Sequence, residues 1–271
     1  MEKVNIVMPM AGKGQRFIDA GYTTPKPLLD LQGEPVIKHI IDIMRCPKAQ
    51  FIFIVRQDHC DNYGMDKKLL EIEPNAKIVK INEVTAGAVC TVLLAKEYFE
   101  DDNPVIIKDC DQIINWDPEH FLELVGRNNA DGAIVNIHTD RPNYSFSRVN
   151  SKGYIYETAE KSVISNHGSV GIYYFAKGKE LIKYAQKMID SNIRTNNEFY
   201  TAPVYNQLIQ DFKLILHYPI AEMFQLGTPE EFMENRNKVI EFLKMRKERL
   251  NKRQPDNSVT QSFPEVKDPF D

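Results

Sequence analysis

The stretch that decides the fold is residues 4–29, VNIVMPMAGKGQRFIDAGYTTPKPLL. It opens with the apolar run Val4–Met10, which is typical of a buried strand, and the turn Gly12-Lys13-Gly14 follows directly. Glycines just past a strand let the backbone turn sharply and bring its N–H groups up to an anion without a Cβ in the way. The stretch therefore predicts a strand that ends in an anion-binding loop.

Two cations after this loop indicate that the anion is a phosphate. Arg16 offers a planar fork that suits phosphate oxygens, and Lys26 offers a compact charge stiffened between Pro25 and Pro27. A Gly-Lys-Gly turn alone would be weak evidence, because glycine turns after strands are common in proteins. The motif is neither the Walker sequence nor the Rossmann dinucleotide fingerprint, because the required residue spacings are missing. We expect a phosphate site of a different type at this loop.

Outward from this stretch, apolar strand-like runs alternate with segments in which apolar residues recur at helical spacing. The runs are Val4–Met8, Phe51–Val55, Ile78–Ile81, Val105–Ile107 and Ala133–Ile137, and the helical segments are Pro35–Met44, Ala86–Phe99 and Pro118–Val125. This alternation predicts an α/β protein with a mostly parallel sheet flanked by helices.

Beyond Ile137 the pattern changes to shorter pieces that predict a small antiparallel insertion, followed by a return to helices. The strand candidates are Phe146–Val149, Tyr154–Thr158, Ser169–Phe175 and Leu214–Pro219, and the helix candidates are Lys179–Ile189, Phe199–Gln210 and a helix that Thr228-Pro229-Glu230-Glu231 opens. We expect residues 1–249 to form a single domain. Residues 250–271 are polar and contain proline, so we expect a mobile tail there.

Composition and charge exclude several classes of partner. The net charge of the 271 residues is −4, so the chain as a whole has no electrostatic attraction for nucleic acid. The run Val4–Met10 is too short to span a bilayer. The four cysteines form neither a CxxC pair nor a disulfide framework. We expect a cytoplasmic protein in a reducing compartment, with a small ligand and no membrane partner.

Two acidic residues follow the strand candidate Val105–Ile107. Asp109 and Asp111 stand two positions apart, so on an extended chain both carboxylates point the same way. Ligands of open α/β sheets gather at the carboxyl ends of strands, and Mg²⁺ prefers carboxylate, water and phosphate ligands. A solvated strand end with an Asx turn is the alternative. We predict a Mg²⁺ site at Asp111 and Asp109.

With these motifs together, GKGQR followed by PKPL resembles the signature of the sugar-phosphate nucleotidyltransferases, the NDP-sugar pyrophosphorylases. The resemblance extends over roughly residues 3–245 and is closest to a small subgroup associated with capsular and surface polysaccharide genes. It implies a Rossmann-like fold of the nucleotide-diphospho-sugar transferase type. It also implies that an NTP is joined to a phosphorylated small molecule, above all a sugar 1-phosphate, with release of pyrophosphate.

The resemblance also implies roles for individual residues. By resemblance, Arg16, Lys26 and Asp111 are catalytic; Ala11, Gly12, Lys13, Gly14, Glu83, Thr85, Ala86 and Gly87 bind the nucleotide; Glu160, Lys161, Gly171 and Glu198 bind the acceptor. Taken alone, Glu160-Lys161 is an ordinary solvated pair, and Glu198 equally fits the first turn of a helix capped by asparagine. At neutral pH most molecules of a phosphate monoester are already dianions. The acceptor therefore needs no general base to remove a proton.

One position departs from the family pattern. The family places a second metal-binding aspartate two residues before the glycine of a DxGT motif, where this chain has Gln225. Glutamine brings no charge, so we expect metal affinity or geometry to differ from that of typical members, with Asp109 as the residue that could compensate.

Two other functions stay open. A GT-A glycosyltransferase, which uses an NDP-sugar as donor, also carries Asp-x-Asp at a strand end, but it has no use for GKGQR and PKPL. A non-catalytic nucleotide-sensing homologue would explain Gln225. The sequence also leaves open which base the NTP carries and whether the chain forms a homo-oligomer. It leaves the acceptor open as well, since phosphorylated groups other than sugars, such as phosphocholine, are candidates.

Overall fold

The computed structural model describes residues 3–253. The predicted tail, residues 250–271, lies outside the described residues except for residues 250–253, which continue the last helix. Within the described part, no helix is long and apolar enough to cross a membrane.

The nine strands that the apolar runs predict are all present in the described chain, and four short strands, Asp30–Leu31, Glu34–Pro35, Gln112–Ile114 and Met223–Gln225, were not predicted. In chain order the strands are β1 Val4–Met10, β2 Asp30–Leu31, β3 Glu34–Pro35, β4 Ala49–Arg56, β5 Lys77–Ile81, β6 Val105–Lys108, β7 Gln112–Ile114, β8 Gly132–His138, β9 Ser145–Val149, β10 Ile155–Glu160, β11 His167–Phe175, β12 Ile215–Ile220 and β13 Met223–Gln225.

The helices fill the connections between these strands. They are α1 Gln15–Asp19, α2 Val36–Met44, α3 Gln57–Tyr63, α4 Met65–Ile72, α5 Ala88–Leu93, α6 Pro118–Arg127, α7 Gly178–Asp190, α8 Val204–Gln210 and α9 Pro229–Arg253. Short 3-10 turns form at Lys26–Leu28 and Lys96–Tyr98.

The main sheet has the order β10-β9-β11-β6-β1-β4-β5, and β8 and β12 extend it from β11. Strands β6, β1, β4 and β5 are parallel neighbours, so their carboxyl ends meet at one edge. Strand β11 runs antiparallel to both β6 and β8, and β9 with β10 forms an antiparallel hairpin. The predicted α/β fold is confirmed, and the predicted antiparallel strands β9, β10 and β11 belong to the main sheet.

Side chains of β1 alternate between two hydrophobic cores, one on each face of the sheet. Ile6 and Met8 enter a core that also contains residues of α2, α6 and α9, whereas Val7 enters a core with residues of α5, α7 and α8. The sheet is therefore covered on both faces, which holds the strand ends of the parallel part in fixed positions.

Two helix predictions were incomplete or wrong. Helices α3 and α4 were not predicted, because the apolar residues between Gln57 and Ile72 are too few to give a clear period. The helix predicted from Phe199 begins only at Val204. The backbone of Phe199 is instead bonded to Ala86 and Val89, which keeps this residue out of the helix. Glu198 is therefore not in a helical first turn, and that interpretation is wrong.

The predicted start of the last helix is confirmed. The N–H of Glu231 donates to Thr228 Oγ1 at 3.2 Å, and the N–H of Thr228 donates to Glu231 Oε2 at 3.1 Å. This reciprocal pair satisfies two donors that the first helical turn leaves without an internal partner.

Candidate active site

The glycine loop after β1 has the backbone that its sequence predicts. Gly14 has φ +66°, a left-handed conformation, and its carbonyl accepts from the N–H groups of Phe17 and Ile18 to begin α1. A Cβ on Gly12 would meet nothing within 4 Å, so the space above this residue is open to a ligand.

Lys26 lies opposite Asp111 across this loop. Its Nζ donates to Asp111 Oδ2 at 2.8 Å, and both side chains are mostly buried. Burial lowers the pKa of Lys26, but the charge of Asp111 and its hydrogen bond outweigh burial and raise that pKa overall. Burial likewise acts against the charge of Asp111, yet Lys26 holds the pKa of this carboxylate below its usual value. The pair is thus charged at neutral pH.

Asp109 occupies a different environment from Asp111. Its N–H donates to the carbonyl of Gly171 on β11 at 2.9 Å. Gly171 has φ +69°, and a Cβ there would lie 2.6 Å from Asp109 Oδ2, so glycine is required for this close approach. Burial and the nearby charge of Asp111 raise the pKa of Asp109 to about 7.

The structure adds a buried cation beneath these carboxylates, which the sequence analysis missed. Lys108 is fully buried, and its Nζ donates to the carbonyl of Asp109 and to Gln112 Oε1, both at 2.7 Å. Burial lowers the pKa of this ammonium group. A lysine at the end of an apolar strand ordinarily faces solvent, so no sequence signal would have found it.

Two cavities meet at Asp109 and Gln112, which line both of them. The larger, about 910 Å³, is walled by the glycine loop, residues 21–27, Asp111 and the segment from Arg56 to Tyr63. The smaller, about 210 Å³, is walled by residues of β9, β10 and β11 together with Tyr200, Thr201 and Gln225. The predicted phosphate side and the predicted acceptor side therefore share one border of acidic and amide groups.

The smaller cavity contains three of the four predicted acceptor residues. Glu160, Lys161 and Gly171 line it, whereas Glu198 is exposed and is not among the lining residues. Ser145 Oγ donates to Glu160 Oε2, and burial raises the pKa of this carboxyl group. Lys161 Nζ donates to the hydroxyl of Tyr200, whose ring centroid lies 4.3 Å away.

The predicted base-binding segment lies outside the larger cavity. Glu83 is exposed, and none of Glu83, Thr85, Ala86 and Gly87 is among the lining residues. The segment is instead joined to the acceptor side, because the N–H of Phe199 donates to the carbonyl of Ala86 at 2.9 Å. Its role in binding the base stays a prediction.

The cations of the larger cavity differ from the predicted set. Lys13, Gly12, Gly14 and Lys26 line it, as the sequence suggests, but Ala11 and Arg16 do not. A main-chain hydrogen bond and Thr228 lower the pKa of Glu230 at the start of α9, and the charge of the exposed Arg16 adds a smaller contribution. A second arginine, Arg56, lines the cavity and was not predicted.

The carboxylates fit the donor set of Mg²⁺, which usually takes one or two carboxylates and completes its shell with water and substrate phosphate. Asp109 and Asp111 both line the larger cavity, and Asp109 also lines the smaller one. Among the described residues there is no group of three histidine, cysteine or acidic side chains arranged to hold a metal. Gln225, at the usual place of a second aspartate, pairs with Gln112 across β13 and β7. A two-carboxylate site from Asp109 and Asp111 is therefore the arrangement that this chain offers.

In sequence, the chain is similar to proteins described as bifunctional GlmU. No family model matches the chain. The bifunctional protein GlmU of Methanocaldococcus jannaschii is 27% identical over 178 residues, which cover 64% of this chain and 40% of that protein. Its counterpart in Methanococcus maripaludis is 29% identical over 153 residues, covering 49% and 35%. The chain thus spans less than half the length of these relatives.

Solved structures match over most of their length. A nucleoside-diphosphate-sugar pyrophosphorylase of Vibrio cholerae is 26% identical with a TM-score of 0.72, covering 84% of this chain and 98% of that one. A UDP-glucose pyrophosphorylase complexed with UDP-glucose (15% identical, TM-score 0.72) covers 89% and 100%. The inositol-1-phosphate CTP transferase of T. maritima (14% identical, TM-score 0.71) covers 90% and 96%.

The chain shares the fold of these solved structures, an α/β fold with a mostly parallel sheet flanked by helices. The predicted resemblance to the NDP-sugar pyrophosphorylases, a group of nucleotidyltransferases, is confirmed by these comparisons.

Proposed function

We propose that this chain is a nucleotidyltransferase that condenses an NTP with a phosphorylated small molecule, for which a sugar 1-phosphate is the leading candidate, and releases pyrophosphate. The observation that carries this proposal is the meeting of the two cavities at Asp109 and Gln112. An NTP in the larger cavity and an acceptor in the smaller one would meet at this border, with Lys26 and Asp111 beside the reacting phosphates.

The barrier to this reaction is the repulsion between anions. Two unit charges 4 Å apart interact by roughly 1 kcal/mol in water, but by about 4 kcal/mol at an effective dielectric constant of 20. Lys26 is mostly buried, so the larger of these two energies applies to its charge. An oxygen of the acceptor phosphate attacks the α-phosphorus in line, and preorganised cations stabilise the charge that moves onto the leaving pyrophosphate.

Asp111 and Asp109 would hold Mg²⁺ in this reaction. Once bound, the cation supplies positive charge at the α-phosphate and the leaving pyrophosphate. Lys108 holds the main chain of Asp109 and the side chain of Gln112, and so fixes the turn that carries both carboxylates.

On the acceptor side, Lys161 is placed to neutralise a phosphate and Glu160 to accept from a hydroxyl group of the acceptor. A carboxylate accepts hydrogen bonds from hydroxyl groups, so Glu160 is compatible with the hydroxyl groups of a sugar phosphate. The relative solved with UDP-glucose supports an NDP-sugar product. We place the product in surface polysaccharide precursor synthesis, on the strength of the motif resemblance alone.

Thermal stabilisation by a panel of ligands tests this proposal. We would compare ATP, CTP, GTP, UTP and dTTP with and without Mg²⁺, alongside several NDP-sugars, since a ligand at about 100 times its Kd adds roughly 2.7 kcal/mol. We expect one NTP to stabilise the chain most, and more so with Mg²⁺. Stabilisation by NDP-sugars alone would favour glycosyl transfer, and no stabilisation at all would favour a non-catalytic homologue.

A further inference from the structure

The larger cavity contains a guanidinium group that the sequence motifs do not include. Its lysine and arginine lining residues in the described chain are Lys13, Lys26 and Arg56, whereas Arg16 does not line it. A triphosphate brings several negative charges close together, so each cation that faces the cavity matters. Arg56 is therefore the arginine to consider for the phosphate chain.

Arg56 lies directly beside the glycine loop. It is the last residue of β4, which pairs with β1 in a parallel register that sets Val55 opposite Met10. Arg56 and Ala11 are the residues that directly follow this last pair, so the end of β4 lies next to the start of the glycine loop. Strand β4 lies on the opposite side of β1 from β6, the strand that Asp109 follows.

The orientation of Arg56 is fixed by a neighbouring carboxylate. Its Nε donates to Asp58 Oδ1 at 2.8 Å, and its Nη2 donates to Asp58 Oδ2 at 2.5 Å. The Arg56 side chain is only 16% exposed, whereas that of Asp58 is 49% exposed. An arginine has five N–H donors, and this two-point pair uses two of them, which leaves Nη1 for a ligand oxygen.

We propose that Arg56 binds the terminal phosphates of the NTP, which become the leaving pyrophosphate, and that Asp58 is the residue that positions its guanidinium group. This inference rests on the proposed function. In the reaction, the bond between the α-phosphorus and the bridging oxygen breaks while a bond from the acceptor phosphate oxygen forms. The electron pair stays on the pyrophosphate oxygen, and Arg56 donates hydrogen bonds to pyrophosphate oxygens without losing a proton.

Calorimetric titration with inorganic pyrophosphate and Mg²⁺ tests the assignment in the absence of turnover. Hydrogen bonds to charged groups are strong, so we expect R56Q to raise the Kd for pyrophosphate about tenfold to a hundredfold. R56K should recover part of this loss, because it restores the charge without the planar fork. D58N should give a smaller increase, and R127Q, which removes an exposed arginine paired with Glu123 on α6, serves as the matched control.

Steady-state kinetics separate a binding role from a structural one. We expect R56Q to raise the KM for the NTP and the inhibition constant of pyrophosphate, while the acceptor KM stays within about twofold. Equal pyrophosphate affinity in wild type and R56Q would overturn the assignment and leave the proposed function intact. A wild-type chain that neither binds nor releases pyrophosphate would overturn both. Should R56Q fold poorly, R56K provides the same comparison. If R56K and D58N each bound pyrophosphate as tightly as the wild type, the proposed role of the oriented guanidinium group would be overturned.

Discussion

The two sides of the proposed active-site cleft, the nucleotide side at the larger cavity and the acceptor side at the smaller one, differ in their strands and in their lining residues. The nucleotide side is formed by loops at the carboxyl ends of parallel strands and is lined by Lys13, Lys26 and Arg56. The acceptor side is formed by antiparallel strands and is lined largely by hydroxyl, amide and carboxyl groups, several of them bonded to one another.

This difference suggests a division of tasks. The cationic side supplies the charge that the transfer needs, and that demand is the same for any NTP. The acceptor side supplies hydrogen-bonding groups, and the arrangement that is needed differs from one acceptor to another. Substitutions on the first side should therefore act on the rate and on the binding of NTP and pyrophosphate, and those on the second on stability and acceptor binding.

The largest effect is expected on the nucleotide side, from removal of Lys26. Lys26→Ala should lower kcat by on the order of a hundredfold or more, comparable to the loss of one preorganised donor in other enzymes. The pKa of Asp111 should rise at the same time, since Lys26 holds it down. Lys38→Ala, which removes an exposed lysine paired with Asp42, is the control. Full activity in Lys26→Ala would contradict the proposal that the charge of Lys26 stabilises the reacting phosphates.

The next effect is expected in the part of the sheet formed by β8 and β12, as a loss of stability in acid. His217 Nδ1 lies 2.9 Å from Asn136 Oδ1, and its ring lies 4.6 Å from that of His167. Burial, with a smaller contribution from His167, lowers the pKa of His217 from 6.5 to about 4. Between these values the unfolded chain binds the proton more readily, so stability is complete above pH 6.5 and falls as the pH approaches 4.

The expected loss from pH 7.5 to 4.5 is on the order of 2 kcal/mol in the free energy of unfolding. Urea unfolding at a series of pH values would measure it, with His217→Gln as the variant that removes this titration. The wild type should lose more stability in acid than the variant does. Parallel curves for the two proteins would show that His217 contributes nothing to the acid dependence.

A smaller effect is expected at the border between the two sides. Gly171→Ala would place a Cβ 2.6 Å from Asp109 Oδ2, on a backbone with φ +69°. We expect a loss of about 1 to 2 kcal/mol in unfolding free energy and a raised acceptor KM, because Asp109 must move. Gly126→Ala, at an exposed position of α6 with no atom near the added Cβ, should be neutral or stabilising. Equal stability of the two variants would contradict the close packing at Asp109.

The smallest effect is expected from Gln225→Asp, which restores the usual family residue. A third carboxylate beside Asp109 should lower the Mg²⁺ concentration for half-maximal activity a few-fold, and raise Mn²⁺ affinity measured by electron paramagnetic resonance. Gln225→Asn keeps the position neutral and should change little. Identical metal affinity in both variants would count against a metal near this residue.

The residues themselves predicted the phosphate part of the nucleotide side, whereas the acceptor residues were predicted only by resemblance. The glycine loop, the lysine between two prolines and the strand-end aspartates are local motifs, and their partners lie at one sheet edge as parallel topology requires. Arg56 was missed although it belongs to the same edge. A single arginine at the end of a strand carries no motif, and its place beside Ala11 depends on the register of β4 against β1.

The acceptor side depends on contacts between distant residues. Phe199 leaves the predicted helix because its backbone bonds to Ala86 and Val89, which no local pattern contains. The buried position of Lys108 likewise follows from Gln112 and the turn at Asp109 that close over it. Glu160 and Lys161 could be assigned only by resemblance, since a charged pair at a strand end is ordinarily solvated.

The most direct test of the central claim is the dependence of pyrophosphate release on the acceptor. The purified chain would be incubated with Mg²⁺, the NTP that stabilises it most and a set of sugar 1-phosphates and other phosphate monoesters, and pyrophosphate would be measured against the NTP-linked product. We predict release of one pyrophosphate per product, only with a phosphorylated acceptor, and its loss in Lys26→Ala. Release that is independent of any acceptor, or consumption of an NDP-sugar in place of an NTP, would contradict the claim.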